Sequence, residues 1–195
     1  MAESTRFISL KNRLDQLRRT MLPRTFSPTG TYTAIQLDKV RGYRLLVHAE
    51  IEAFLEDSAR EVVRSTFDSW RRDFKPRITI VSLLAFLRPC DKSFKSVSEA
   101  VGFSVEQFNR AVERNNGIKE DNLMKILPPA GIAWANINET WLSTLNSFGT
   151  ARGEVAHASV HVHQPIDPKS EFETIHIRIL PGLKDLDEEL QKLLE

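Results

Sequence analysis

From Ile35 to Trp70 the chain keeps a helical hydrophobic period with no proline to interrupt it, and this run constrains the fold more than any other feature. Ile35, Val40, Tyr43, Val47, Ile51, Phe54, Leu55, Val62, Phe67 and Trp70 mark the apolar stripe. The spacing predicts one very long helix or two nearly continuous ones, with Gly42 as the place for a bend.

The rest of the chain also reads as helical. Phe7, Leu10, Leu14, Leu17 and Met21 recur at steps of three and four, with Ser4 or Thr5 as N-cap and Pro23 just past the end. A Pro and Thr linker follows. After the long helix, Ile78 to Leu87 predicts a buried helix stopped by Pro89. Ser104 with Gln107 has the spacing of a capping box, for a helix ending at the Asn115-Asn116-Gly117 turn. A short helix from Glu120 to Leu127 then ends at Pro128-Pro129. Asn138 is an N-cap for a further helix whose face carries Trp141, Leu145, Phe148, Arg152 and Val155. Ser159 to His163 and Thr174 to Leu180 alternate like strands, whereas Asp167-Pro168 resembles a helix start and Leu183, Leu186, Leu190 and Leu193 are spaced helically. Pro181-Gly182 predicts a break or kink.

We expect one domain over 1–195: an N-terminal helix and linker over 1–30, a core over 31–163 and a C-terminal segment over 164–195. The 27 basic and 26 acidic residues leave a net charge of +1, so any nucleic-acid contact must be local rather than a coat of charge. Cys90 is the single cysteine, which excludes an intramolecular disulfide and fits a reducing, cytoplasmic setting. The first residues lack the apolar region of a signal peptide, and no apolar run approaches the roughly 20 residues of a membrane span.

One segment carries chemistry. Arg152 and His157 are separated by four residues in Arg152-Gly153-Glu154-Val155-Ala156-His157. Arginine is a permanent planar cation whose forked donors match phosphate oxygens, and histidine exchanges protons near neutral pH. Arg152 continues an apolar stripe, so it requires a carboxylate, a phosphate or another chain beside it.

Three stretches resemble the RiboL-PSP-HEPN branch of the HEPN superfamily: Tyr43 to Glu52 (YRLLVHAEIE), Asn115 to Lys119 (NNGIK) and Arg152 to His157. The resemblance implies an all-α, HEPN-like helical bundle and a metal-independent endoribonuclease, with no cofactor, of a kind found in toxin-antitoxin and anti-phage systems. It places the functional arginine and histidine on Arg152 and His157. Many active members carry a polar residue directly after the arginine, where this chain has Gly153. Some members are inactive binding modules, which makes a module for a protein or nucleotide partner the alternative.

Metal-free RNA cleavage needs a base for the 2'-hydroxyl proton, an acid for the leaving 5'-oxygen and positive charge on the transition state. One motif supplies one histidine. Five positions along a helix turn by about 140° and rise by about 7.5 Å, so Arg152 and His157 do not stack. A two-fold axis bringing in a second Arg152 and His157 solves both problems, and the resemblance also implies a site built across a homodimer. His157 is then the proton-transfer residue and Arg152 the phosphate ligand, with Glu154, Glu50 and His48 as weaker supporting candidates. RNA is the expected substrate, and an antitoxin or other regulatory protein a further partner. A competing reading groups His157, His161 and His163 as a zinc site.

Overall fold

The computed structural model describes residues 2–87, 92–157 and 166–195, which leaves out Cys90, His161, His163 and the strand-like stretch Ser159 to His163. Everything described is helical or connecting, with no strand among the described residues. No helix there is long and apolar enough to cross a membrane.

Helix α1 (Thr5–Met21) starts where Ser4 accepts a hydrogen bond from the Phe7 amide, and it buries Phe7, Leu10, Leu14 and Leu17. The same Ser4 donates its hydroxyl to the buried Asp187, which ties the first helix to the last. Helix α2 (Ala34–Asp73) runs unbroken for 40 residues, about 60 Å at 1.5 Å per residue. Gln36 and Thr33 close its first turn as a reciprocal capping box. Gly42 lies within it without interrupting it. A Cβ there would stand 2.8 Å from the Met21 side chain, so the glycine lets the end of α1 approach α2 closely.

Two expectations fail in the next region. Helix α3 (Ile78–Leu87) buries Thr79, Ile80 and Leu83, but Ile78, Val81 and Phe86 on the other side are exposed. Helix α4 (Val97–Glu113) is capped by Ser96, not Ser104, and Glu99 reaches back to the Lys95 amide. Ser104 is buried in mid-helix with its hydroxyl donating to the Ala100 carbonyl. Ser96 and Glu99 have the same spacing as Ser104 and Gln107, so the spacing alone does not choose between them.

After the Asn115 to Gly117 turn come two short helices, α5 (Glu120–Leu123) and α6 (Leu127–Ala130). Pro128 and Pro129 do not end a helix but open α6, where missing amide donors cost nothing. A 3₁₀ turn at Trp134–Asn136 leads to helix α7 (Glu139–His157), where Asn138 accepts from the Trp141 amide as expected. Asp167 caps α8 (Pro168–Glu173), which passes through a π-helical turn at Thr174–Ile179 into α9 (Leu180–Lys192). The strand-like alternation at Thr174 to Leu180 is therefore helical. Pro181 has no amide to donate and would clash in a regular α-turn, and the wider turn before it relieves that clash. Trp141 fixes the geometry: its indole lies where a Cβ on Gly182 would be, 2.4 Å away, and donates to the Ile179 carbonyl at 2.9 Å.

One apolar cluster runs from Phe7 through α2, α3, α4 and α7 to Leu190. Helix α2 is its axis, with α1, α3, α7 and α9 packed along it.

Candidate functional site

The three stretches singled out in the sequence meet about a third of the way along α2. Helix α2 contributes His48, Glu52 and Glu56 at steps of four, so they share one face. The turn after α4 contributes Asn115 and Gly117, and α7 contributes Phe148 and Arg152, again four apart.

His48 is the centre of the cluster. It is 2% exposed, its ring stacks on Phe148 with centroids 6.2 Å apart, and its Nδ1 lies 3.6 Å from a Glu52 carboxylate oxygen. That is too long for a hydrogen bond, and Nδ1 has no other partner. Burial first, and the Arg152 cation second, hold the imidazole down at about 4. At neutral pH His48 is therefore an uncharged, enclosed ring that positions its neighbours and does not reach solvent.

Glu52 collects the surrounding influences. Burial pushes its carboxyl up, a Gly117 backbone amide works against that, Glu56 raises it further and Arg152 lowers it. Gly117 has φ +134, in the region that favours glycine, and a Cβ there would stand 2.9 Å from Asn122 Nδ2 and 3.9 Å from His48 Nε2. Asn115 locks the turn by donating its side-chain amide to Glu56 at 2.9 Å and to the Gly117 carbonyl at 3.0 Å.

Arg152 is half-buried, and its Nε is enclosed without a hydrogen-bond partner. Among the described residues Arg152 forms no ion pair; the acid whose charge it influences is Glu52, four residues beyond His48, and not one of the two acids favoured from sequence. Glu50 lies on another face of α2, paired with Arg13 of α1 at 2.9 Å, and Glu154 is exposed. Gly153 opens to space, with nothing within 4 Å of a Cβ built on it. His157 is the last residue of α7. Its side chain, and the whole zinc grouping with His161 and His163, lie outside the described residues.

A second arginine fixes the α7 backbone at this point. Arg44 donates Nε and Nη2 to the two oxygens of Glu171, at 3.0 and 2.5 Å, and Nη1 to the Ala151 carbonyl at 3.3 Å. Glu171 is buried, so this bidentate pair joins α2, α7 and α8 immediately beside Arg152. Its partners are 127 positions apart, and no local pattern in the sequence announces it. Glu52 carried a signal, its i, i+4 spacing from His48, but periodicity alone did not connect it to Arg152.

The cluster thus offers a half-buried guanidinium, an acid near it and a backbone held by Arg44 beneath, followed by the histidine position at the end of the same helix. No curated protein and no solved structure matches the chain. A family model does match it over residues 10–189, nearly its whole length and all three converging stretches. The chain belongs to the RiboL-PSP-HEPN family.

Proposed function

We propose that the protein is a metal-independent endoribonuclease that works as a homodimer, with Arg152 as phosphate ligand and His157 as proton carrier. The supporting observation is the state of Arg152: half-buried, with Nε lacking a partner, near a neutral His48 and Glu52. Arg41 also has an enclosed, unpartnered Nε but pairs with Asp38, and Arg44 commits its fork to Glu171, whereas Arg152 has no ion pair among the described residues.

In this reaction the 2'-hydroxyl attacks phosphorus while one His157 takes its proton. The 5'-oxygen leaves with a proton from the His157 of the second chain, and Arg152 offsets the charge on the phosphorane-like transition state. Fixing α7 through Arg44 and Glu171 keeps the guanidinium from retreating as that charge develops. A restraining antitoxin would act by covering this groove or by separating the two chains.

Incubating RNA with the purified protein in excess EDTA tests the reading. Cleavage should persist, yield 2',3'-cyclic phosphate ends and fall by about 10² to 10⁴ in His157→Ala, with the thermal melt unchanged. Loss of cleavage on chelation, restored by zinc, would transfer the chemistry to His157, His161 and His163. RNA left intact by the wild-type chain would leave a binding module.

A further inference from the structure

A helix as apolar as α3, with only Thr79 and Ser82 polar, belongs in a core, yet it is covered on one side only. Its sequence, Ile78 to Leu87, has no charged residue. Ile78 is 57% exposed, Val81 53% and Phe86 59%. On the flanking elements Phe74, at the end of α2, is 62% exposed and Val97, at the start of α4, is 64% exposed. At its N-terminal end Ile78 runs into a cleft of about 340 Å³ shared with Leu193 and Leu194. Scattered single apolar residues need no explanation on a protein surface, but a contiguous strip of them does.

Cations outnumber acids at both ends of the strip. Arg71, Arg72 and Lys75 stand exposed where α2 gives way to α3, and Lys92 and Lys95 stand exposed between α3 and α4. Of the nearby acids, Asp73 pairs with Arg77 and Glu99 accepts from the Lys95 amide, Glu195 lines the cleft beside Ile78, and Asp91 lies outside the described residues. Lys92 lies 3.8 Å over the Phe103 ring, a contact that leaves its charge intact.

We propose that the exposed face of α3 is a docking surface for an acidic amphipathic helix of a second protein. A ten-residue helix presents a strip about 15 Å long and one helix wide, which matches the ridge of a single partner helix rather than a broad plane such as a bilayer. A second copy of this chain is disfavoured by symmetry. A two-fold contact through α3 would bring the basic ends of the strip into apposition, and like charges across an interface cost affinity. A helix with leucines at i, i+3, i+4 and i+7 and glutamates at its flanks would cover the apolar strip and meet the cations at both ends. The strip begins 26 residues beyond His48 along α2, about 39 Å, so an occupant leaves Arg152 accessible.

The test uses the full chain and two synthetic amphipathic peptides with the same leucine pattern, one flanked by glutamate and the other by lysine, read by fluorescence anisotropy. The glutamate peptide should bind at least about tenfold more tightly than the lysine peptide and weaken as salt rises. Val81→Glu, on the exposed face, should lower its affinity by about tenfold or more, as should Lys75→Glu with Lys92→Glu, with melting temperatures unchanged. Equal binding of the two peptides, or full binding by Val81→Glu, overturns the proposal. So does self-association in sedimentation that Val81→Glu abolishes, which assigns the face to a second copy. Flotation with phosphatidylserine vesicles that depends on Val81 overturns it too, in favour of a membrane. None of these readings depends on whether the chain cleaves RNA.

Discussion

At the Arg152 end of α2 polar atoms are enclosed without partners, whereas at the α3 end large apolar side chains stand in water. His48 Nδ1, Asn115 Oδ1 and Arg152 Nε are buried and unpaired in the first region. Ile78, Val81 and Phe86 are exposed in the second. Both arrangements work against folding, one through desolvation without compensation and the other through apolar surface left wet. The same 40-residue helix supports both, and its well-filled core of Val40, Tyr43, Val47, Ile51, Leu55 and Val62 offsets them. What distinguishes the regions is the kind of ligand we propose for each: a phosphate for the enclosed cation, an apolar face for the exposed helix.

The polar end breaks most severely at its clamp. Replacing Arg44 with Met leaves Glu171 charged and buried, which should cost about 3–5 kcal/mol in urea unfolding, while Arg44→Met with Glu171→Leu should recover most of it. If the single substitution costs under about 1 kcal/mol, the clamp behaves as a surface pair and cannot hold Arg152.

The apolar end is sharpened by comparing two neighbours on α3. Leu83 is fully buried, so Leu83→Ala should destabilise by about 2–5 kcal/mol. Val81→Ala on the opposite face should stay within about 0.5 kcal/mol. Equal costs would show that Val81 is covered in solution.

Titration then separates the two ends. The folded His48 pKa, about 4, lies below its ordinary value of 6.5, so on acidification the unfolded chain takes up the proton first. The stability this provides is complete above about pH 6.5 and is lost as pH falls toward 4, and 2.5 units at 1.36 kcal/mol each make about 3 kcal/mol. Melts of His48→Phe, which keeps a ring against Phe148, should lose that share of the pH dependence. A slope unchanged from wild type would assign the acid sensitivity to other groups.

The smallest effect is expected at Gly153. A mid-helix glycine with open space around it costs about 0.5–1 kcal/mol relative to alanine, so Gly153→Ala should raise stability by that amount. A gain in stability accompanied by a loss of RNA cleavage would place the backbone of a second chain against this position.

The sequence by itself determined the features whose causes lie within a few residues. The stripe of α1, the helical run of α2, the Asn138 and Asp167 caps and the Asn115 to Gly117 turn all follow from 3.6-residue spacing, side-chain oxygens placed three residues before an amide, and a glycine where φ must be positive, although the spacing left one helix or two open for α2. The three stretches that resemble the family could be quoted from the sequence, but their convergence on His48 could not. That Glu52 and not Glu50 falls under the influence of Arg152 depends on which side of α2 receives α7 and which receives α1, and both acids satisfy the local rules equally. Likewise so apolar a helix does not say which of its faces will be covered, and α3 is half-covered because α2, α4 and α6 approach from one side only. The alternation at Thr174 to Leu180 follows the same logic: a period of two loses to a tertiary contact, because Trp141 seats itself on Gly182 and satisfies a carbonyl that the π-turn presents. Local spacing fixes which backbone a segment adopts, and packing between segments far apart in the chain decides what each side chain meets, because the neighbours that desolvate, pair or expose it arrive only with the tertiary fold.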